Sequence, residues 1–155
     1  LPEIVWHFIG PIQSNKTRPI AEHFAWVHSV DRLKIAQRLN EQRPVNLPPL
    51  NICIQLNIDD EASKSGIALN ELPELVQAIQ TLPRLRLRGL MAIPSVNNST
   101  EQQASAFRKL AEAKARFEFM DCLSMGMSAD LEIAIANGAT HVRVGTDIFG
   151  ARINA

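Results

Sequence analysis

Short apolar runs alternate with longer amphipathic stretches along the whole chain. Residues 4–9 (IVWHFI) read as a strand ended by Gly10-Pro11, and residues 14–24 as a short helix with a kink or late start at Pro19. A second strand over 26–30 (WVHSV) is followed by a helix capped by Asp31, with Leu33, Ile35, Ala36 and Leu39 on its apolar face. A proline-rich connector, 43–49, leads to a third strand over 50–56 (LNICIQL) and a polar loop, 57–66. The helix predicted over 69–82 has Asn70 at its cap and Glu71 and Pro73 in its opening turns. A fourth strand, 85–93, stops at Pro94, and Thr100, Glu101 and Gln103 give a capping-box pattern for a long helix over 100–117. Two tight units close the sequence. A strand over 121–125 runs into a loop with Gly126, Met127 and Ser128, then a helix over 130–137 that ends at Gly138. A last strand, 141–144, leads to Gly145-Thr146-Asp147 and a turn over 148–150.

Strict alternation with short, mostly apolar strands predicts an α/β fold on a buried parallel sheet. Two architectures satisfy it: an open doubly wound sheet, or a (β/α)8 TIM-type barrel lacking its first two βα units. The second accounts for a sequence that starts at Leu1-Pro2-Glu3-Ile4 without a methionine and enters a strand at once, so a fragment is expected.

Composition narrows the function. Hydrophobic residues make up 46% and charged residues 21%, as in an ordinary globular domain. Sixteen basic residues balance sixteen acidic ones, so no global field draws nucleic acid or a membrane, and any anion site must be local. No apolar stretch is long enough to span a bilayer, and no leader pattern opens the sequence. Cys53 and Cys122 lie in apolar runs and read as buried thiols, which fits a reducing cytoplasm. His7, His23, His28 and His141 are too scattered for a zinc signature. The series Arg84, Arg86, Arg88 reads as a basic stripe beside a strand, but aromatic residues around it are too sparse for nucleic-acid recognition.

The candidate chemistry is at the C-terminal end. A phosphate monoester needs several converging donors, which glycine turns at a strand-to-helix junction supply. Gly126-Met127-Ser128 and Gly145-Thr146 offer two such turns in adjacent units, the position of the phosphate site in a barrel of this type. Arg143, inside the last strand, requires a carboxylate partner or a ligand.

Five stretches carry a family resemblance: Trp6-His7-Phe8-Ile9-Gly10-Pro11-Ile12-Gln13-Ser14-Asn15-Lys16; Gln55-Leu56-Asn57-Ile58 through Lys64-Ser65-Gly66-Ile67; Arg88-Gly89-Leu90-Met91-Ala92-Ile93-Pro94; Leu123-Ser124-Met125-Gly126-Met127-Ser128-Ala129-Asp130; and Val142-Arg143-Val144-Gly145-Thr146 through Ile148-Phe149-Gly150. In this order they resemble the pyridoxal phosphate homeostasis protein family, of the alanine-racemase-like barrel superfamily. The resemblance covers essentially all 155 residues. It implies a barrel, here strands three to eight, that binds pyridoxal 5'-phosphate, with Arg143 facing the pyridine nitrogen and Ser128, Gly145 and Thr146 holding the phosphate. Gly126 and Met127 complete the candidate set, Met127 packing against a planar ring.

The family's aldimine lysine lies at the end of the first barrel strand, and no stretch of this sequence matches its motif. Roughly 70 to 80 residues of a standard barrel are unaccounted for. Lys34, Lys109 and Lys114 fall on solvent faces of helices, while Lys16 and Lys64 are expected near the barrel mouth, ordering loops or neighbouring the anion. The function so implied is intracellular cofactor holding and supply, without catalysis, with apo enzymes that use the cofactor as recipients. The alternatives are an amino-acid racemase of the same superfamily and a sugar-phosphate binding barrel. Against the racemase stand an arginine that would leave the ring nitrogen largely unprotonated and the absence of any tyrosine to serve as the opposing acid.

Overall fold

The computed structural model describes residues 3–61 and 64–153. Six parallel strands form one sheet in sequence order: β1 (His7–Phe8), β2 (Trp26–Val30), β3 (Leu50–Gln55), β4 (Leu85–Met91), β5 (Cys122–Met127) and β6 (His141–Arg143). The helices between them are α1 (Thr17–His23), α2 (Leu33–Gln42), α3 (Leu72–Gln80), α4 (Thr100–Ala115) and α5 (Leu131–Ala136), with α6 (Thr146–Phe149) after β6. The sheet curls so far that the His7 ring on β1 lies 5.9 Å from the His141 ring on β6, at the opposite edge. Helices cover its convex side, and the concave side is lined by polar and aromatic residues. This is the curled wall of a (β/α)8-type barrel, as the alternation predicts, and not a flat doubly wound sheet.

Helical spacing builds the convex core. Ile35, Ala36 and Leu39 of α2, Leu72, Val76 and Ile79 of α3, and Phe107, Leu110 and Ala113 of α4 are buried against Ile52, Ile54, Leu87, Leu90 and Leu123 of the strands. Glycine decides two close approaches. A Cβ on Gly89 would stand 1.8 Å from the Cys122 carbonyl oxygen, so β4 and β5 meet there only without a side chain. Gly126 has φ +100°, and its Cβ would stand 2.6 Å from that of Ala134, which lets α5 seat on β5.

Several local expectations shift. Leu1 and Pro2 lie outside the described residues, as do Ala62 and Ser63 of the 57–66 loop. Ile4, Val5 and Trp6 are exposed and not in a strand, since β1 is an edge paired on one side and only His7 and Phe8 join the ladder. Asp31 does not cap α2: its carboxylate accepts from the Gly66 N–H instead, and Arg32 precedes the helix without a side-chain bond. Asn70 does not cap α3, which follows a tight turn over Leu69–Glu71 where the Glu71 carboxylate accepts from the Ala68 N–H. The capping box of α4 is one residue earlier than expected, a reciprocal pair of Ser99 and Gln102. Strand β5 runs on through Gly126 and Met127, which are therefore strand and not loop. The arginine stripe is broken: Arg86 is exposed, whereas Arg88 turns into the concave side.

Candidate functional site

The inward positions of the strands form a polar interior. Trp26 and His28 share the concave face of β2, with Cys53 on β3, Arg88 and Met91 on β4, Cys122 and Ser124 on β5, and His141 and Arg143 on β6. Near the N-terminal ends of the strands, the Arg88 guanidinium lies 4.7 Å from the Trp26 ring centroid and forms a two-pronged ion pair with Asp121 at 2.9 and 2.8 Å. That bond holds the Asp121 carboxyl down to about 2. Both thiols are buried and their pKa values are raised, first by desolvation, so they are packing groups.

Imidazoles fill the middle. His7, Trp26, His28 and His141 cluster within 4.9–5.9 Å of one another, ring centroid to centroid, with His7 and Trp26 stacked and the other pairs tilted or edge-on. His7 Nδ1 is 2.8 Å from His28 Nε2, and His28 Nδ1 is 2.7 Å from Ser124 Oγ. Burial, then the nearby His7, His141 and Arg143, pushes the His28 pKa down to about 3, so this imidazole is neutral at neutral pH. Among the described residues, no group of three His, Cys, Asp or Glu side chains could hold a metal ion.

At the C-terminal ends of the strands, the two expected turns meet. Ser128 Oγ accepts from the Asp147 N–H at 3.2 Å, which joins the loop after β5 to the start of α6 and leaves the Ser128 hydroxyl hydrogen free to donate. Gly145 and Thr146 are exposed beside it. Gly145 has no positive φ, and among the described residues a Cβ there would meet nothing within 4 Å. The fold does not demand glycine at that position, and the open room in front of it suits a ligand. Met127 is 47% exposed, with its N–H already bound to Asp130 Oδ1 at 2.7 Å.

Arg143 reaches from β6 across β5, donating from Nη2 to the Ala92 carbonyl at 3.0 Å. Its Nε is sealed from solvent with no hydrogen-bond partner. Desolvation lowers the guanidinium pKa, and Asp130 partly offsets that shift. Leaving a cationic donor unbonded in this way costs stability. Lys64 binds Asp59 Oδ2 at 3.2 Å and the Ile93 carbonyl at 3.4 Å, and Asp59 also accepts from Ser95 and Asn98, so this lysine does order loops at the mouth.

Ser128, Gly145, Thr146 and Arg143 were legible in the sequence as candidates, whereas the link of His7 through His28 to Ser124 was not. The parity of Trp26 and His28 in WVHSV was the available signal, since alternate residues of a strand share a face. Gly126 was singled out for ligand approach, whereas the demand for glycine there comes from α5.

The fold is shared with known proteins. The profile of the alanine racemase N-terminal domain matches residues 3–153, so the chain belongs to that family of barrel proteins. More narrowly, it is similar to the pyridoxal phosphate homeostasis proteins. It is 65% identical over 148 residues to the protein of that name from Pseudomonas aeruginosa and 60% identical over 151 residues to that from Escherichia coli, in both cases across 95% of this chain. The chain spans 64% of the length of these two relatives. The structure of PipY from Synechococcus elongatus, with pyridoxal phosphate bound, superposes with TM-score 0.88 at 33% identity, covering 97% of this chain and 72% of PipY. An alanine racemase from Clostridium difficile shares the fold, with TM-score 0.69 at 17% identity over 94% of this chain and 39% of the racemase.

Proposed function

We propose that this chain forms strands three to eight of a barrel that holds pyridoxal 5'-phosphate for delivery to other proteins and does not itself turn over amino acids. One observation carries the reading: a buried guanidinium with an unpartnered Nε, on the strand that leads directly into the junction of Ser128 with Asp147. The donor set fits the cofactor. Arg143 would face the pyridine nitrogen, the Ser128 hydroxyl with Gly145 and Thr146 would hold the phosphate, and Gly126 and exposed Met127 would border the ring. The binding of pyridoxal phosphate by the related PipY supports the same ligand.

Bound pyridoxal phosphate supplies an aldehyde and, when its ring nitrogen is protonated, an electron sink. Arg143 donates and keeps its proton, so it withholds one from that nitrogen, which favours holding over carbanion chemistry. His28 is neutral and is not an acid for the ring. Among the described residues, no helix is long and apolar enough to cross a membrane. The site of action in this reading is the cytoplasm, and the recipients are apo enzymes that use the cofactor.

Equilibrium dialysis tests the reading. Pyridoxal phosphate is expected to bind the full chain more tightly than ribose 5-phosphate, Arg143→Met to abolish that preference, and L-alanine to remain unracemised. Equal affinity for the two phosphates, or an unchanged preference in Arg143→Met, would overturn it.

A further inference from the structure

The hydrogen bonds inside the sheet join into one continuous path. His7 on β1 binds His28 on β2, and His28 binds Ser124 on β5. The Ser124 carbonyl accepts from the Ala92 N–H at 3.2 Å, and the Ala92 carbonyl accepts from Arg143 Nη2 at 3.0 Å. The path begins at a half-buried imidazole on the sheet edge and ends on the guanidinium whose Nε has no partner.

Burial fixes the sense of the first two bonds. The Ser124 side chain is fully buried, and its hydroxyl has one bonded neighbour among the described residues, His28 Nδ1. A buried hydroxyl hydrogen must be donated, so Ser124 donates to His28 Nδ1. Neutral His28 then carries its proton on Nε2 and donates to His7 Nδ1, which leaves the outer nitrogen of His7 to carry that ring's hydrogen.

We propose that Ser124 and His28 are positioning residues for the Arg143 end of the cofactor site, and that they transmit to it the protonation state of His7. When His7 takes up a proton, its Nδ1 becomes a donor. His28 must then accept at Nε2, and its own ring proton passes to Nδ1. The hydroxyl hydrogen stays on Ser124 but loses its acceptor, so one proton taken up at the edge leaves a buried donor unbonded on β5, next to the strand end that seats Arg143. The groups facing this path are accounted for. His7 is faced by His28, His141 and Trp26; His28 is faced by His7, His141, Trp26, Ser124 and Arg143. His141 is influenced by Arg88 and Asp121, and Arg143 by Asp130 and Cys53. The His7 pKa lies below 6.5, lowered by burial and then by His141, which places the transition on the acid side of neutrality.

The proposal rests on the cofactor reading for its consequence but not for its first test. In the full chain without ligand, nitrogen-15 NMR is expected to show the His28 proton on Nε2 at about pH 7.5 and on Nδ1 below the His7 titration, with no move in His7→Gln. A proton on Nδ1 at neutral pH, or no response to His7, overturns the inference whether or not the cofactor binds. The second test is the affinity for pyridoxal phosphate against pH. The wild-type chain should lose about three- to tenfold more affinity on acidification than His7→Gln, a normal size for coupling through a bonded network. Ser124→Ala and the paired variant His28→Phe with Ser124→Ala, which leaves no orphaned hydroxyl, should lack that excess. Identical pH profiles in all four proteins would refute the coupling, whereas a wild-type chain that binds no pyridoxal phosphate would refute the cofactor reading instead.

Discussion

Replacing Arg143 by methionine separates the reason this residue is present from what it contributes to the fold. Methionine keeps an unbranched stem in the same space and removes the charge. Two costs disappear with the guanidinium. The sealed Nε–H without a partner costs about 1–3 kcal/mol, and desolvation of the cation adds a penalty that its lowered pKa reflects. Against this, the bond from Nη2 to the Ala92 carbonyl, charge-assisted and therefore worth about 1.5–3 kcal/mol, is lost. The two hydrogen-bond terms nearly cancel, so relief of the desolvation penalty sets the balance, at about 1–2 kcal/mol in favour of the variant in the ligand-free chain, while its preference for pyridoxal phosphate disappears. That is the exchange of stability for binding expected of a functional group. Urea unfolding followed by fluorescence of Trp6 and Trp26 measures it, with a midpoint rise of about 0.5–1 M expected for a chain of this size. A variant destabilised by more than about 1 kcal/mol would refute the reasoning, because Arg143 would then be a tie between β6 and the end of β4 and not a donor held in reserve.

The buried histidine makes stability acid-sensitive. The folded-state pKa of His28 is about 3 against 6.5 for the free side chain, so below pH 6.5 the unfolded chain takes the proton first and stability falls. Two pH units of that window amount to roughly 3 kcal/mol lost at pH 4.5, measured by denaturant titration at several pH values. An equal loss in the paired His28→Phe and Ser124→Ala variant would assign the effect elsewhere. The two glycines at close approaches and open space should behave oppositely. Gly89→Ala forces a Cβ onto the Cys122 carbonyl and is expected to cost at least about 3 kcal/mol, visible as a large drop in melting temperature. Gly145→Ala should stay within about 0.5 kcal/mol of wild type and weaken pyridoxal phosphate binding; a large stability loss would show that the fold, and not the ligand, requires glycine there.

The order and type of the main elements were legible in the sequence because each is a local periodicity: four-residue spacing in α2, α3 and α4, and short apolar runs in the strands. Arg143, Ser128, Gly145 and Thr146 could be singled out for the same reason, as residues whose chemistry is conspicuous at strand ends. Caps were misplaced by one or two residues, since neighbouring polar side chains compete for the same orphan N–H groups and tertiary partners decide between them, as Gly66 does for Asp31. The approach of His7 to His141 and of His28 to Ser124, 96 residues apart in sequence, follows from the curl of the sheet, which no local pattern encodes. Curvature also set the roles of the glycines, because whether a missing Cβ faces a helix, a neighbouring strand or open space depends on how closely those layers meet. Which residues can donate, accept or pack is a property of their side chains and is written in the chain; which of them share one interior follows from how the strands curl, because that brings together residues far apart in sequence.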